Sequence, residues 1–228
     1  MNVALNRKRS RLALDSDDEL QQRRDPSPAL STLSDTLKRS RTQCELDELD
    51  IIRPEDSWSI DVDALLASPT FSKPPESRLA EHNNWERYTK GESLIVLCVQ
   101  GNVQTHYELL CSALPELYLL APSLQAFVLC HDPSTHVLSP AAPFSLPIIQ
   151  ATVPPNNHFV RLGLLHPLGG GKFPLDALVV LDKKGRRRLV LPFGWGAGKH
   201  AGTPAGRSID NRLMGLLRKC VETLEAEQ

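Results

Sequence analysis

The sequence lacks the long apolar runs and paired cysteine motifs that identify several large protein classes. No stretch of the 228 residues approaches the roughly 20 apolar residues of a membrane-spanning helix, and the N-terminus is too polar for a secretory signal. The five cysteines include no CxxC pair, and their odd number argues against a disulfide framework. We therefore expect a soluble intracellular protein of a reducing compartment, with no membrane partner.

Motifs for metal or phosphate binding are also missing. Four histidines fall in or near loops, but their spacing matches neither HExxH nor a zinc knuckle: His131, His136, His158 and His166. The run Gly169-Gly170-Gly171-Lys172 lacks the GxxxxGK[ST] spacing and precedes a strand rather than a helix, which is typical of a flexible loop. We expect neither a metal nor a cofactor.

Apolar residues make up 41% of the chain, but they are unevenly distributed. Residues 1–57 are rich in Ser, Asp, Arg and Pro and are predicted to be a largely disordered charged tail. Residues 58–84 read as a docking segment followed by a proline-rich linker. Residues 85–228 hold nearly all of the apolar runs and are predicted to form the folded domain.

Two basic clusters occur in the tail. Short basic runs are what nuclear import receptors bind, so the clusters are candidate import signals, although a solvated, solubilising tail has the same composition. The candidate residues are Arg7, Lys8, Arg9, Arg11, Lys38, Arg39 and Arg41. A nuclear or nucleocytoplasmic location is therefore expected.

The segment from Cys44 to Leu66 places large apolar side chains on an acidic background. Leu46, Leu49 and Ile52 follow helical spacing, and Trp58 comes soon after them. Such a segment is typical of one that docks in the groove of a partner protein. The alternative is that it packs on its own domain.

The folded part begins with the pattern of an α/β unit. The run SLIVLCVQG predicts a strand covered on both faces, THYELLCSALPELYLLAP predicts a helix kinked or split at Pro115, and LQAFVLCHD predicts a second buried strand. A right-handed βαβ crossover is the expected connection. A short helix capped by Asn156 or Asn157 follows the proline-rich loop.

The C-terminal part predicts a hairpin and a closing helix. FPLDALVVLD and RRRLVLPFG read as two strands joined at Lys183-Lys184-Gly185. An amphipathic helix capped by Ser208 or Asp210 then ends the chain. The whole order, β-α-β, short helix, β-hairpin and helix, resembles a thioredoxin fold, an α/β sheet flanked by helices.

Short motifs resemble the peroxiredoxin and alkyl hydroperoxide reductase branch of that fold. Phe159, Arg161, Gly163 and Leu164 match F-x-R-x-x-G-V/L in part, and they precede an apolar strand that ends at Asp182 and a glycine turn. The resemblance covers roughly Ser93 to Cys220. It implies a reactive thiolate at the start of the first helix.

The peroxidatic motif of the family that the chain resembles is Pro-x-x-x-Thr/Ser-x-x-Cys at the first helix. With the strand LIVLCVQ set against the family's equivalent strand, the chain departs from the family at the reactive positions. Gly101 falls at the proline, Thr105 at the threonine and Glu108 at the peroxidatic cysteine, while Leu175 replaces the supporting arginine. Glutamate has no sulfur and cannot form a sulfenic acid. The resemblance therefore implies a degenerate site, with no catalytic residue assigned.

The remaining thiols give one alternative. Cys98, Cys130 and Cys220 lie in apolar runs and read as core residues. Cys111 lies more than one turn into the helix and is the candidate for a divergent thiol oxidoreductase.

Two further surfaces are candidates for partner binding. Phe193 and Trp195 stand among glycines that leave aromatic rings poorly covered, which predicts either a docking surface or a segment tucked under the tail. Arg186, Arg187 and Arg188 form a basic hairpin that suits nucleic acid, or that is simply solvated charge. The sequence as a whole predicts a nonenzymatic thioredoxin-fold interaction module, a subunit or adaptor of a nuclear complex, with a peroxiredoxin-like oxidoreductase as the alternative.

Overall fold

A computed structural model describes residues 48–72, 79–101, 104–137, 139, 142, 145–154, 156–168, 170–193 and 203–227. The seven import candidates, Leu46, Cys44 and Trp195 lie outside the described residues, so the expectations placed on them stay predictions.

The described residues form ten strands and four α-helices. The strands are β1 (Trp58–Ser59), β2 (Thr70–Ser72), β3 (Ala80–Glu81), β4 (Ile95–Val99), β5 (Gln125–Cys130), β6 (Ile148–Gln150), β7 (Thr152–Val153), β8 (Asn156–Asn157), β9 (Ala177–Leu181) and β10 (Arg186–Pro192). The helices are α1 (Val62–Leu66), α2 (Thr105–Leu120), α3 (His158–Arg161) and α4 (Pro204–Ala226), with a 3₁₀ turn at Pro133–Thr135.

The main sheet confirms the predicted thioredoxin-like topology. Its order within the described residues is β1-β10-β9-β4-β5-β6-β2-β3. β4 and β5 are parallel neighbours that α2 connects along the chain. On its other side, β4 pairs antiparallel with β9, which forms an antiparallel hairpin with β10. β7 and β8 form a separate small ladder. The predicted βαβ unit and hairpin are both present.

Residues between 58 and 84 contribute to this same sheet. β1 pairs with β10, and β2 and β3 extend the opposite edge through β6. Between these strands, α1 buries Val62, Leu65 and Leu66. The segment that reads as a docking region and linker therefore supplies four elements of the domain.

The sheet separates two apolar cores, and β4 contributes to both. Val96 and Cys98 pack against α2 and α4 on one face, whereas Ile95, Leu97 and Val99 pack against α1 and α3 on the other. All five residues of β4 are buried. This is why the sequence of β4 is an unbroken apolar run rather than an alternating one.

Two helix details differ from expectation. α2 is one continuous helix with Pro115 inside it, so of the two predicted outcomes, a kink or a split, the split is absent. α4 begins at Pro204, earlier than predicted, because Thr203 rather than Ser208 or Asp210 is the N-cap and accepts a hydrogen bond from the Gly206 amide at 3.1 Å. The cap predicted for α3 is confirmed: the Asn157 side chain accepts from the Val160 amide at 3.2 Å.

The β9–β10 turn is built around Asp182 and Gly185. Oδ1 of Asp182 accepts the amides of Lys184 and Arg186, each at 2.9 Å. Gly185 has a φ of +74°, and a Cβ there would lie 2.8 Å from Cγ2 of Val62. Glycine is therefore required both by the backbone and by the close approach of the chain that leads into α1. Its carbonyl also accepts the Ile60 amide at 2.8 Å.

Arg188 overturns the prediction of a basic hairpin surface. A register shift between Arg187 and Leu189 marks a β-bulge, and the Arg188 side chain is only 2% exposed. Its guanidinium donates to both carboxylate oxygens of Glu227, at 2.5 and 2.8 Å, and to the Ile52 carbonyl at 2.5 Å. Asp182 completes the network at 3.5 Å.

The other two arginines are also engaged. Arg186 pairs with Asp182 at 2.7 Å, and the guanidinium of Arg187 lies 4.8 Å from the centre of the Trp58 ring. A nucleic-acid surface made of all three arginines is therefore wrong, since Arg188 is enclosed and its neighbours already have partners.

Replacing Arg188 is expected to destabilise the domain. Arg188→Ala removes the guanidinium that binds Glu227 and the Ile52 carbonyl, whereas Asp182 keeps its contacts with Arg186 and two backbone amides. We expect a loss of about 3 kcal/mol in the free energy of unfolding, the lower end of the cost of breaking a buried ion pair, because Glu227 is partly exposed. Urea unfolding measures the loss. Arg53→Ala is the matched control, since Arg53 is exposed and bridges only exposed carboxylates; equal effects of the two changes would contradict the role of Arg188.

The same network predicts a pH dependence. The hydrogen bond from Arg188 holds the pKa of Glu227 below its usual range. A depressed folded-state pKa gives stability that is present above the unfolded pKa and is lost as the pH falls through the folded one. The difference in unfolding free energy between wild type and Glu227→Gln should therefore shrink below about pH 4. A difference that is constant from pH 7 to pH 3 would contradict this account.

Candidate functional site at the start of helix α2

The loop between β4 and α2 is held by Asp176, which comes just before β9. Oδ1 of Asp176 accepts the Gly101 amide at 2.7 Å. A Cβ on Gly101 would lie only 2.8 Å from the Pro174 carbonyl oxygen, so glycine permits this close approach. Asp176 is buried. Two loops that are distant in sequence thus meet at the C-terminal end of β4.

The first turn of α2 carries Thr105 and Glu108, the two residues expected at the degenerate site. Both are half-buried. Oε1 of Glu108 accepts a short hydrogen bond from the Ser139 hydroxyl in the loop that follows β5. The Gln104 side chain donates to the Val137 carbonyl at 3.1 Å in the same loop. Glu108 therefore fastens this loop to α2.

His106 occupies the centre of this site, and the sequence analysis did not identify it. Its ring is fully buried and stacks on Phe193 with centroids 5.4 Å apart. Nε2 lies 3.0 Å from the Val99 carbonyl, which only accepts, so this nitrogen carries the proton. Burial lowers the pKa of His106, and the nearby carboxylate of Asp176 opposes that shift.

A signal for His106 was present in the sequence. His106 shares one face of α2 with three buried leucines: Leu110, Leu114 and Leu117. The spacing of four, eight and eleven residues places all of them on the core side of the helix. A polar residue on an apolar helical face marks a buried side chain that needs a partner.

The four described cysteines are buried thiols. Cys98, Cys111, Cys130 and Cys220 all lie in the core of the domain. Burial raises the pKa of Cys111 to about 11, although a hydrogen bond with Tyr107 opposes the shift. Burial also raises the pKa values of Cys130 and Cys220, each to about 12. For Cys98 the pKa is well above the ordinary value, again through burial.

The surroundings of Cys111 do not activate it. A reactive cysteine needs a cation or a helix N-terminus close to its sulfur, and access to its substrate. Cys111 is fully buried, and the carboxylate of Glu108, one turn earlier, further raises its pKa. The described geometry therefore favours the protonated thiol over the thiolate.

The proposed partner-binding residues are placed very differently from one another. Leu49 is partly buried against the core of the same domain, and the Ile52 amide donates to the Arg188 carbonyl at 2.7 Å. Phe193 is fully buried, so the prediction that it lies on an exposed docking surface is wrong. Trp58 is 51% exposed. Of the two readings of this segment, the described residues favour packing on its own domain.

Trp58 and Arg187 form a shared surface feature. The Arg187 guanidinium lies over the indole ring and also donates to the Leu162 carbonyl. Gly163 lies directly beneath, where a Cβ would approach Cζ3 of Trp58 to 2.9 Å. The pair is therefore held in a defined orientation rather than extending freely into solvent.

No group of three His, Cys, Asp or Glu in the described part of the chain is arranged to hold a metal ion. Of the helices that the structure describes, none is both long and apolar enough to cross a membrane.

Sequence comparison links part of the chain to a protein-binding protein. No family model matches the chain. A stretch of 53 residues is 53% identical to the Uba3-binding protein but1 of Schizosaccharomyces pombe. It covers 23% of this chain and 21% of but1, so the similarity spans only about a fifth of that relative.

The structural neighbours of the domain include peroxiredoxins. Plasmodium yoelii thioredoxin peroxidase I has a TM-score of 0.42 and 15% identity, covering 70% of this chain and 91% of that one. The bacterioferritin comigratory protein of Xanthomonas campestris has a TM-score of 0.41 and 12% identity, covering 70% and 98%. The thioredoxin-like fold follows from the strand order and pairing of the main sheet.

Thiol burial predicts slow labelling. In a Cys44→Ser background, none of the remaining cysteines should react with a maleimide within minutes at pH 8, and all should react after denaturation, because burial keeps them protonated and inaccessible. Intact mass before and after urea counts the labels. Rapid labelling of one thiol in the native protein would contradict this picture.

Proposed function

We propose that this chain is a nonenzymatic protein-interaction module built on a thioredoxin-like domain, and that it serves as a subunit or adaptor of a nuclear complex. The observation that carries the proposal is which residues occupy the start of α2 and how deeply the nearest thiol is buried. The sequence resemblance puts Thr105 and Glu108 at the expected positions of the reactive turn, and burial raises the pKa of the nearest thiol on the helix, Cys111.

The hydrogen bonds at this site support a structural role. Glu108 accepts from Ser139, Asp176 accepts from Gly101, and His106 donates to Val99. Each bond fixes a loop or the helix to β4 or its surroundings. Side chains used in this way stabilise the domain, and none of these contacts prepares a nucleophile.

The similarity to but1 supports a protein partner. The name of but1 describes it as a Uba3-binding protein. Because the similar stretch is 53% identical, we propose that Uba3 is also a partner of this chain.

Trp58 and Arg187 are the surface that we propose for this contact. Trp and Arg are enriched among the residues that dominate binding energy at interfaces. Trp58 is half exposed, and its orientation is fixed by Arg187, so little conformational entropy is lost when a partner covers it.

Peroxide treatment separates this proposal from a thiol peroxidase. We expect that stoichiometric hydrogen peroxide leaves the intact mass of the reduced native protein unchanged, because the described thiols are buried and protonated. Rapid addition of one oxygen atom that is abolished in Cys111→Ser would establish the alternative, a divergent thiol oxidoreductase. The same Cys111→Ser protein serves as the control for nonspecific oxidation.

A binding measurement tests the partner. We expect purified Uba3 to bind the full chain in calorimetry, and Trp58→Ala to weaken binding about tenfold or more, as for an aromatic residue central to an interface. Leu119→Ala is the matched control, since Leu119 is 84% exposed on α2, a different part of the domain. No detectable binding of Uba3 would remove this partner, and equal effects of both variants would remove the proposed surface.

Nuclear import is tested separately. Replacing the basic residues of the two clusters by glutamine should move a fluorescent fusion of the full chain from the nucleus to the cytoplasm. Glutamine at Arg53, another exposed arginine, is the control. An unchanged nuclear signal in the cluster variant would contradict an import role for these residues.

A further inference from the structure

Half of the large apolar side chains that are exposed in the described chain lie on or beside helix α3. Leu168 is 90% exposed, and Val160, Phe173 and Trp58 are each about half exposed. Exposed apolar residues that occur singly need no explanation, whereas a contiguous group of them marks an interaction site. The contacts around α3 join these four residues into such a group.

One side of α3 connects Trp58 to the loop that follows the helix. Three residues lie along that side at a spacing of three: Asn157, Val160 and Gly163. The Trp58 ring covers Gly163, where a Cβ would be 2.9 Å from Cζ3. At the start of α3, Nδ2 of Asn157 donates to the Gly171 carbonyl at 3.4 Å. Trp58 and the loop residues next to Gly171 therefore border one continuous surface, with Val160 between them.

Hydrogen bonds hold the loop that presents Leu168 and Phe173. The His166 amide donates to the Phe173 carbonyl at 2.9 Å, and Nδ1 of the same histidine accepts the Leu168 amide at 3.1 Å. Leu165 and Pro174 add a β-bridge next to them. Because these bonds already hold the backbone, little conformational entropy is lost when a partner covers the two exposed side chains.

This surface is basic as well as apolar. The charged residues between positions 156 and 175 are Arg161 and Lys172, which are both exposed cations. Arg161 lies 3.6 Å from Asp61, but an ion pair between two exposed side chains is weak. Beside the far end of α3, Arg187 donates to a neutral backbone carbonyl, and no carboxylate of the described residues pairs with it. The charge of the surface therefore favours an anionic partner.

The α3 surface consists of four apolar residues and three cations: Trp58, Val160, Leu168, Phe173, Arg161, Lys172 and Arg187. Polybasic segments that hold a protein on anionic lipids contain about four to eight Lys or Arg side chains. The α3 surface has fewer cations than that, and its ring and loop are held in fixed positions. These features favour a protein segment over a lipid surface as the partner.

We propose that the α3 surface binds an acidic segment of a protein partner, in which carboxylates alternate with large apolar side chains. The apolar side chains cover Leu168, Phe173 and Trp58. The carboxylates pair with Lys172 and Arg187, since hydrogen bonds between ionised groups are the strong ones. The inference rests on the proposed function, because the segment belongs to the protein partner, and it enlarges the contact beyond Trp58 and Arg187.

Synthetic peptides test the α3 surface without any partner protein. A short acetylated peptide of alternating glutamate and leucine carries both required features. We expect it to bind the full chain with a Kd on the order of 0.1 mM, with amide shift changes in NMR centred on residues 157–173. A counterpart with lysine in place of glutamate, and another with serine in place of leucine, should each bind about tenfold more weakly. Absence of binding by the glutamate–leucine peptide, or equal binding by its lysine counterpart, would overturn the proposal.

Variants locate the binding. Lys172→Glu should weaken the glutamate–leucine peptide about tenfold and strengthen its lysine counterpart, and Leu168→Ser should weaken the first peptide about threefold. Both side chains are exposed, so the folded domain should be unaffected. Lys219→Glu and Leu119→Ser are the matched controls, because both residues are exposed on helices that cover the opposite face of the sheet. Equal effects of the variants and their controls would overturn the assignment of this surface.

Uba3 and lipid vesicles separate the remaining outcomes. Uba3 binding that is unchanged in Lys172→Glu would refute the α3 surface and leave the partner assignment intact. Peptide binding at the surface without Uba3 binding would refute only that assignment. Binding of the full chain to phosphatidylserine vesicles that is lost in Lys172→Glu, with no peptide binding, would overturn the proposal in favour of a membrane.

Discussion

The pairing of one buried arginine holds three distant parts of the chain together. Arg188 is almost fully enclosed, and its guanidinium contacts Glu227 after α4, Asp182 at the hairpin turn and the carbonyl of Ile52. An enclosed guanidinium is costly unless its donors are satisfied, so these groups cannot move independently. The same contact helps to hold residues 49–60 beside β10 and the turn before it. The amides of Ile52 and Ile60 add hydrogen bonds to the carbonyls of Arg188 and Gly185.

This constraint determines what remains available at the surface. Once the acidic segment is fastened along β10, its leucine and isoleucine side chains pack on the domain, and Trp58 stays half exposed beside Arg187. The three arginines that look like a polycation in the sequence have different surroundings. Arg188 is buried and pairs with Glu227, Arg186 pairs with Asp182, and Arg187 lies over the Trp58 ring. Of this run, Arg187 remains with Trp58 as an aromatic and guanidinium pair at the surface.

The two-sided core explains the chemistry of the cysteines. A central sheet covered on both faces leaves its strands without solvent, so Cys98 and Cys130 are small core residues with raised pKa values. Cys111 lies on the core side of α2 for the same reason as the leucines beside it. Near these cysteines, the loops around the start of α2 are hydrogen-bonded to α2 and to one another, and the His106 ring stacks on Phe193.

Much of the fold followed from local patterns. Continuous apolar runs predicted β4 and β5, a glycine turn predicted the β9–β10 hairpin, and an asparagine cap predicted α3, since each signal involves neighbouring residues. The start of α4 was misjudged because several residues in that stretch are able to cap, and only Thr203 takes that place. The exposure of Phe193 was misjudged because its glycine neighbours carry no information about the His106 ring that stacks on it.

The sequence by itself determined the thioredoxin-like order of elements, the inward stripes of the helices and the absence of cysteine from Gln100 to Tyr107, because periodicity and residue identity are local properties. Only the tertiary structure decided the partners of Arg188 and of Glu108. Each of these depends on groups tens of residues away, such as the 136 residues between Ile52 and Arg188, and such pairings exist only once the sheet has assembled.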